Sequence, residues 1–136
     1  MKLYQGRPEV MEGREEREKR VYDFLDGLGI VYESVDHEKA ETMEACKAVD
    51  EALQVEMCKN LFLCNRQKTV FYLLLIPGGK RFKTSVVSKL IGSSRLSFGE
   101  PDKLYELLGV HPGSITPLGL AFDEAHQVNL LIDREV

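Results

Sequence analysis

The sequence predicts a single mixed α/β domain, with a mainly antiparallel, mixed central sheet and helices around it. Three observations lead there. A length of 136 residues is one domain's worth and enough for a real core. Two apolar segments, 57–65 and 69–76, are separated only by Arg66-Gln67-Lys68 and read as a hairpin. Helical periodicities stand before and after that hairpin, without the regular strand–helix alternation of a doubly wound sheet.

Taken in order, residues 1–12 read as a loose lead-in. A helix comes next over 14–28, because Val21, Phe24, Leu25 and Leu28 recur at helical spacing and Gly27 and Gly29 stop it. The run from Arg14 to Arg20 alternates charge and reads as a solvated helix face with i,i+4 pairs. Residues 30–35 alternate as a short strand. Thr42 is the N-cap of a second helix reaching about residue 53, with Glu44 and nearby Glu41 at its positive end.

After the hairpin, Pro77-Gly78-Gly79 ends the second strand. Thr84 opens a helix to about residue 91, closed by Gly92-Ser93-Ser94. Leu96 and Phe98 mark a short strand, and Pro101 suits the first turn of a helix to residue 108. Residues 109–119 are rich in turn formers. Residues 128–132 form a last strand, which normally has something covering or continuing it, so further C-terminal sequence is expected.

Charge is distributed unevenly along the chain. Between Glu56 and Glu100 there is no acidic residue, where an even spread of the 22 in the chain would place about seven. The same window carries Lys59, Arg66, Lys68, Lys80, Arg81, Lys83, Lys89 and Arg95. The whole chain is nonetheless −4 at neutral pH. Such segregation fits a polyanionic partner, and Arg66, Lys68, Lys80, Arg81, Lys83 and Arg95 are the expected contacts to a nucleic-acid backbone.

No apolar run approaches a membrane span, and the polar start lacks an apolar signal region, which predicts a cytoplasmic protein. Cys46, Cys58 and Cys64 form no CxxC, and His37, His111 and His126 are scattered. The expectation is therefore no disulfide framework, no metal site and no cofactor, with the cysteines as small, mostly buried thiols.

Lys59 is the most informative single residue. Alternation puts it on the face of Leu61 and Leu63 in a strand that is apolar on both faces. A lysine there binds an anion or reaches water past the sheet edge. The second candidate is Gly113-Ser114-Ile115-Thr116-Pro117, followed by Gly119. Such a loop admits close backbone approach and offers N–H groups to a carbonyl oxygen, although a plain turn cluster has the same composition. It lacks the Gly-Lys-Ser/Thr ending of a phosphate loop. His37 is either a pocket acid/base or a surface residue. No serine sits in a GxSxG elbow, so nucleophilic hydrolysis finds no support.

Several of these stretches, in order, resemble one known family. Cys58-Lys59-Asn60-Leu61-Phe62-Leu63 looks like the lysine strand of the YbaK/prolyl-tRNA-editing family, and Gly113 to Pro117 matches its GxxxP loop. Tyr4 to Pro8, Asp36 to Glu38, Thr42 to Cys46, Asn65 to Thr69, Phe82 to Thr84 and Ser94 to Phe98 look like its ProX branch. The resemblance covers essentially the whole chain. It implies a YbaK-like fold and a trans-editing enzyme that hydrolyses the ester of alanine mischarged on proline tRNA.

On that basis Lys59 is the key functional residue. His37, Thr42, Asn60, Gly113, Ser114, Ile115, Thr116 and Pro117 are expected at the aminoacyl pocket. The implied partners are the tRNA acceptor end and prolyl-tRNA synthetase. Family members usually continue past the position of Val136 into a His-Pro segment and a closing helix. Three other readings stay open: a non-catalytic module binding the acceptor end or a synthetase, a deacylase for cysteine on the same tRNA, and a small-molecule or amino-acid binding domain with an incidental basic face.

Overall fold

The computed structural model describes residues 1–40 and 42–136. By its contacts the chain divides into two compact units, residues 1–57 and 58–136. Among the described residues, each unit holds its own sheet, two-stranded in the first and four-stranded in the second.

In the first unit, the lead-in expected to be loose contains a strand. β1 (Lys2–Gln5) pairs antiparallel with β2 (Glu33–Asp36), from Lys2 opposite Asp36 to Gln5 opposite Glu33. Lys2, Leu3 and Gln5 are exposed, so backbone pairing rather than apolar alternation makes this strand. Ion pairs hold the segment after β1. The Arg7 guanidinium donates to Asp26 at 2.6 Å and Asp23 at 2.8 Å, and Arg14 donates to Asp36 and Glu18, each at 2.7 Å.

Helix α1 (Glu16–Gly27) starts two residues later than the apolar spacing predicts, because Glu15 is extended and Arg14 is turned onto Asp36. Arg14 is therefore a clamp between β2 and the start of α1 rather than part of a solvated face. Helix α2 (Met43–Leu53) begins as expected: Thr42 Oγ1 accepts from the Ala45 N–H at 3.1 Å. It ends at Gln54 in the left-handed region. The expected contribution of Glu41 to this helix start lies outside the described residues.

The second unit is a four-stranded sheet in the order β5-β3-β4-β6. β3 (Cys58–Cys64) and β4 (Phe71–Pro77) form the expected hairpin, with Lys59 opposite Ile76 and Asn60 opposite Leu75. The Asn65 carboxamide caps its turn, accepting from the N–H groups of Thr69 at 2.8 Å and Val70 at 3.1 Å. Helix α3 (Thr84–Ile91) ends at Gly92 with φ +66°. β5 (Ser97–Phe98) is short and pairs only with Leu63 and Cys64. Helix α4 (Pro101–Leu108), a 3-10 helix (Pro117–Phe122) and β6 (Val128–Ile132) complete the unit. β6 runs parallel to β4, which makes the sheet mixed.

Period-two alternation gives the sheet two apolar faces. Leu63, Leu74, Ile76 and Leu96 pack with Val87 and Ile91 of α3 on one side. Phe62, Leu73 and Leu75 pack with Leu104, Leu107 and Leu108 of α4 on the other, and Ile115 joins this second layer.

Candidate functional site

The site is built on the first residues of β3. Because β5 covers only Leu63 and Cys64, the opening half of β3 has a strand neighbour on one side only. Lys59 sits in that half and is exposed. Its side chain leaves the α3 face, shared with Leu61 and Ile76, and Nζ donates to the Lys80 carbonyl at 3.0 Å. Lys80 lies in the turn after β4, closed by its own N–H on the Pro77 carbonyl at 3.0 Å. The lysine therefore reaches water past the sheet edge. One of its three ammonium donors is used, and two remain for an anion.

Asn60, the next residue, points to the opposite face. Its Nδ2 donates to the Ile115 carbonyl at 2.8 Å. The Cys58 thiol, on the same face by alternation, donates to Asn60 Oδ1 with Sγ at 3.5 Å. The structure thus joins the strand to the Gly113–Pro117 loop through Asn60 rather than through Lys59.

The loop itself has defined geometry. Gly113 takes φ +93°, which a side chain rarely tolerates. Ser114 N–H and Oγ both donate to the His111 carbonyl at 3.0 Å, and Oγ accepts from the His111 N–H at 3.3 Å. Thr116 Oγ1 caps the 3-10 helix by accepting from the Leu118 N–H at 3.2 Å. Gly119 then lies against α4, where a Cβ would stand 2.8 Å from the Leu108 carbonyl oxygen. Both loop hydroxyls are thus engaged internally, and the half-buried Ile115 side chain anchors the loop to the core.

The acid-free window divides in space. Lys68 pairs with Glu100 at 2.8 Å, and Lys80 pairs with Asp133 at 2.8 Å and Glu135 at 3.6 Å. These hydrogen bonds raise both ammonium groups above their ordinary range and hold Glu100 and Asp133 below theirs. Carboxylates from outside the window have returned to two of its cations. Arg66, Arg81, Lys83, Lys89 and Arg95 are exposed and form no ion pair among the described residues. The Arg66 N–H donates to Ser94 Oγ at 3.1 Å, which brings the hairpin turn beside Arg95.

His37 and Thr42 belong to the first unit. His37 is exposed, with Nδ1 2.6 Å from the Glu38 carbonyl, and Thr42 is the cap of α2. Cys58 and His111, expected only as a small thiol and a scattered histidine, both bear on the loop, Cys58 through Asn60 and His111 through Ser114. The two-residue spacing of Cys58 and Asn60 was a usable signal for the first; nothing local announced the second. A recess of about 120 Å³ lined by Cys64, Lys68, Phe71, Glu100 and Lys103 sits at the other end of β3 from Lys59. Among the described residues, no group of three or more His, Cys, Asp or Glu is placed to hold a metal, and no helix is long and apolar enough to cross a membrane.

Known proteins share this architecture. A solved structure described as a candidate trans-editing enzyme for prolyl tRNA synthetase superposes with a TM-score of 0.65 at 18% identity, covering 90% of this chain and 75% of its own. The prolyl-tRNA editing protein ProX of Acetoanaerobium sticklandii is 29% identical over 112 residues, which is 82% of this chain and 68% of that protein. The prolyl-tRNA synthetase associated domain-containing protein 1 of Danio rerio is 30% identical over 118 residues, 87% of this chain and 64% of that protein. The chain spans about two thirds of the length of these relatives. The aminoacyl-tRNA editing domain matches residues 37–136, from the histidine before α2 through the lysine strand and the glycine loop to β6. With that match over most of its length, the chain belongs to the aminoacyl-tRNA editing domain family.

Proposed function

We propose that this chain is a trans-editing deacylase that hydrolyses the ester of alanine mischarged on proline tRNA. Family membership gives the reaction class, deacylation of an aminoacyl-tRNA ester. The similarity to ProX supports proline tRNA, and the similarity to synthetase-associated domain proteins supports prolyl-tRNA synthetase as a partner. The observation that carries the reading is the Asn60–Ile115 hydrogen bond, which ties the lysine strand to the loop.

An aminoacyl ester is already activated. A positioned water, N–H groups aimed at the carbonyl oxygen and the neighbouring ribose hydroxyl suffice, so no protein nucleophile is needed. The loop supplies candidate donors: the N–H groups of Ile115 and Thr116 find no acceptor within the chain among the described residues. Lys59 repels the cationic α-amino group of the substrate and is assigned to the terminal phosphate or the ester oxygens. Selectivity comes from size. A pocket made for alanine excludes the proline ring sterically, whereas a proline-sized synthetase pocket gains only ~1–3 kcal/mol against a smaller residue.

The test is single-turnover deacylation of alanyl-, cysteinyl- and prolyl-tRNA. Alanine is expected to leave fastest and proline to remain. Lys59→Ala is expected to slow alanine release by about 10²–10³-fold, the range for losing one charge-stabilising donor. Undiminished release by Lys59→Ala overturns the lysine's role, and preferential release of cysteine overturns the substrate.

A further inference from the structure

We infer that the outward face of α3 is a docking surface for a protein, and that its partner there is an amphipathic helix carrying carboxylates beside an apolar stripe. Helix α3 turns Val87 and Ile91 into the sheet, and Ser88 is buried on the same side. At 3.6 residues per turn, Val86, Lys89 and Leu90 stand on the opposite side, and all three are exposed. Val86 is 50% exposed and Leu90 79%. They are four residues apart, neighbours on successive turns, so they make one apolar ridge. Lys83 precedes the ridge by three residues and Lys89 flanks it.

Isolated exposed leucines are ordinary on protein surfaces. Here the apolar pair and the two lysines share one helix face. Helix α4 shows the usual division, with Leu104, Leu107 and Leu108 buried and Asp102 and Glu106 exposed. The outward face of α3 carries no carboxylate, because the chain has none between Glu56 and Glu100. The carboxylates that return to this window go to Lys68 and Lys80, while Lys83 and Lys89 form no ion pair among the described residues. The face is therefore apolar along its middle and cationic at its sides.

An acidic amphipathic helix complements both parts. Its apolar stripe takes Val86 and Leu90 out of water, and its carboxylates meet the lysines. RNA complements only the cationic part, since phosphates leave the ridge in water. Lys89 is outside the set assigned to the RNA backbone, and docking at this face is independent of the deacylase reading.

The probe is a fluorescently labelled synthetic helical peptide with leucines at i, i+4 and i+7 and glutamates beside them. It is compared with the same peptide carrying serines for the leucines, and with one carrying lysines for the glutamates. Anisotropy with the full chain is expected to give a Kd below about 1 mM for the acidic peptide. Leu90→Ser is expected to weaken that binding by about 10-fold or more. Lys89→Glu is expected to weaken the acidic peptide and to strengthen the lysine peptide relative to the parent chain. Both positions are exposed, so both variants are expected to keep the parent's circular dichroism spectrum and unfolding midpoint.

The proposal is overturned if the acidic peptide shows no saturable binding up to about 1 mM, or if the parent and Leu90→Ser bind it equally. Equal affinity for the serine peptide shows attraction by charge alone and overturns it too. A short single-stranded RNA and vesicles of anionic phospholipid are run against the same variants. A greater loss of RNA binding than of peptide binding in Leu90→Ser makes the face an RNA surface, and a greater loss of vesicle binding makes it a membrane surface. Either result overturns the protein partner. A chain that binds the peptide through Leu90 yet releases no amino acid from tRNA refutes the deacylase reading alone.

Discussion

Asn60 Nδ2 holds the Ile115 carbonyl at 2.8 Å across 55 positions of sequence, and it is itself oriented by the Cys58 thiol. A carboxamide with both ends engaged has one orientation, so the amide nitrogen stays on the loop. Asn60→Ala strands the carbonyl and is expected to cost about 1–3 kcal/mol in urea unfolding. Asn60→Asp is expected to cost no less, because it faces an acceptor with an acceptor. Cys58→Ser preserves the donor and is expected to stay within about 1 kcal/mol of the parent.

Gly119 is where the segment after the loop touches α4. A Cβ there meets the Leu108 carbonyl oxygen at 2.8 Å and the Leu108 Cβ at 3.1 Å, both rigidly held. Gly119→Ala is expected to destabilise by about 1–3 kcal/mol. Gly27→Ala, in α1 with nothing within 4 Å of the added Cβ, is expected instead to be unchanged or more stable by up to about 1 kcal/mol in the same denaturation series.

The division of the basic window predicts which cations an RNA feels. Arg66, Arg81, Lys83 and Arg95 carry no internal counter-charge among the described residues, whereas Lys68 and Lys80 do. Replacing one of the four by alanine is expected to lower the slope of log affinity against log salt by about 0.7 for single-stranded RNA. Replacing Lys68 or Lys80 is expected to change the slope less, since Glu100 and Asp133 already neutralise them. Titrations across a salt series decide this, and equal slopes for all six variants would remove the distinction.

The Lys80–Asp133 pair predicts a pH dependence. Asp133 is held below the usual carboxylate range first by Lys80 and then by the Glu135 N–H, so its stabilisation is present at neutral pH. It is lost as pH falls below about 3.9 and through the lower folded value. Lys80 is raised, so its share is full below the ordinary lysine value of about 10.4 and is lost only as pH climbs past it. The stability difference between the parent chain and Asp133→Asn is therefore expected to shrink between about pH 5 and pH 2. Denaturant midpoints over that range check it.

Legibility in the sequence tracks the range of the contacts. The α2 start was readable because Thr42 caps a donor three residues away, and the hairpin was readable because Asn65 closes its own turn. β1 was not, because Lys2-Leu3-Tyr4-Gln5 has no buried alternation and becomes a strand only by pairing with residues far along the chain. The lysine strand and the glycine loop were each recognisable as pieces. Their connection through Asn60, and the return of Glu100 and Asp133 to Lys68 and Lys80, are contacts between distant positions that no local pattern records.

The parallel pairing of β4 with β6 has a consequence for the order of folding. The β3–β4 hairpin closes over a few residues, whereas Phe71 meets Val128 only after the chain between them has been gathered in. Closing that long loop carries the larger entropic cost, and it is repaid only when β6 docks. The Gly113–Pro117 loop lies inside the gathered segment. Substitutions in the hairpin core, such as Leu73→Ala, are therefore expected to slow refolding, while Leu131→Ala chiefly speeds unfolding. The glycine loop then takes shape after the strand that carries Lys59, so the two halves of the candidate site are completed at different stages.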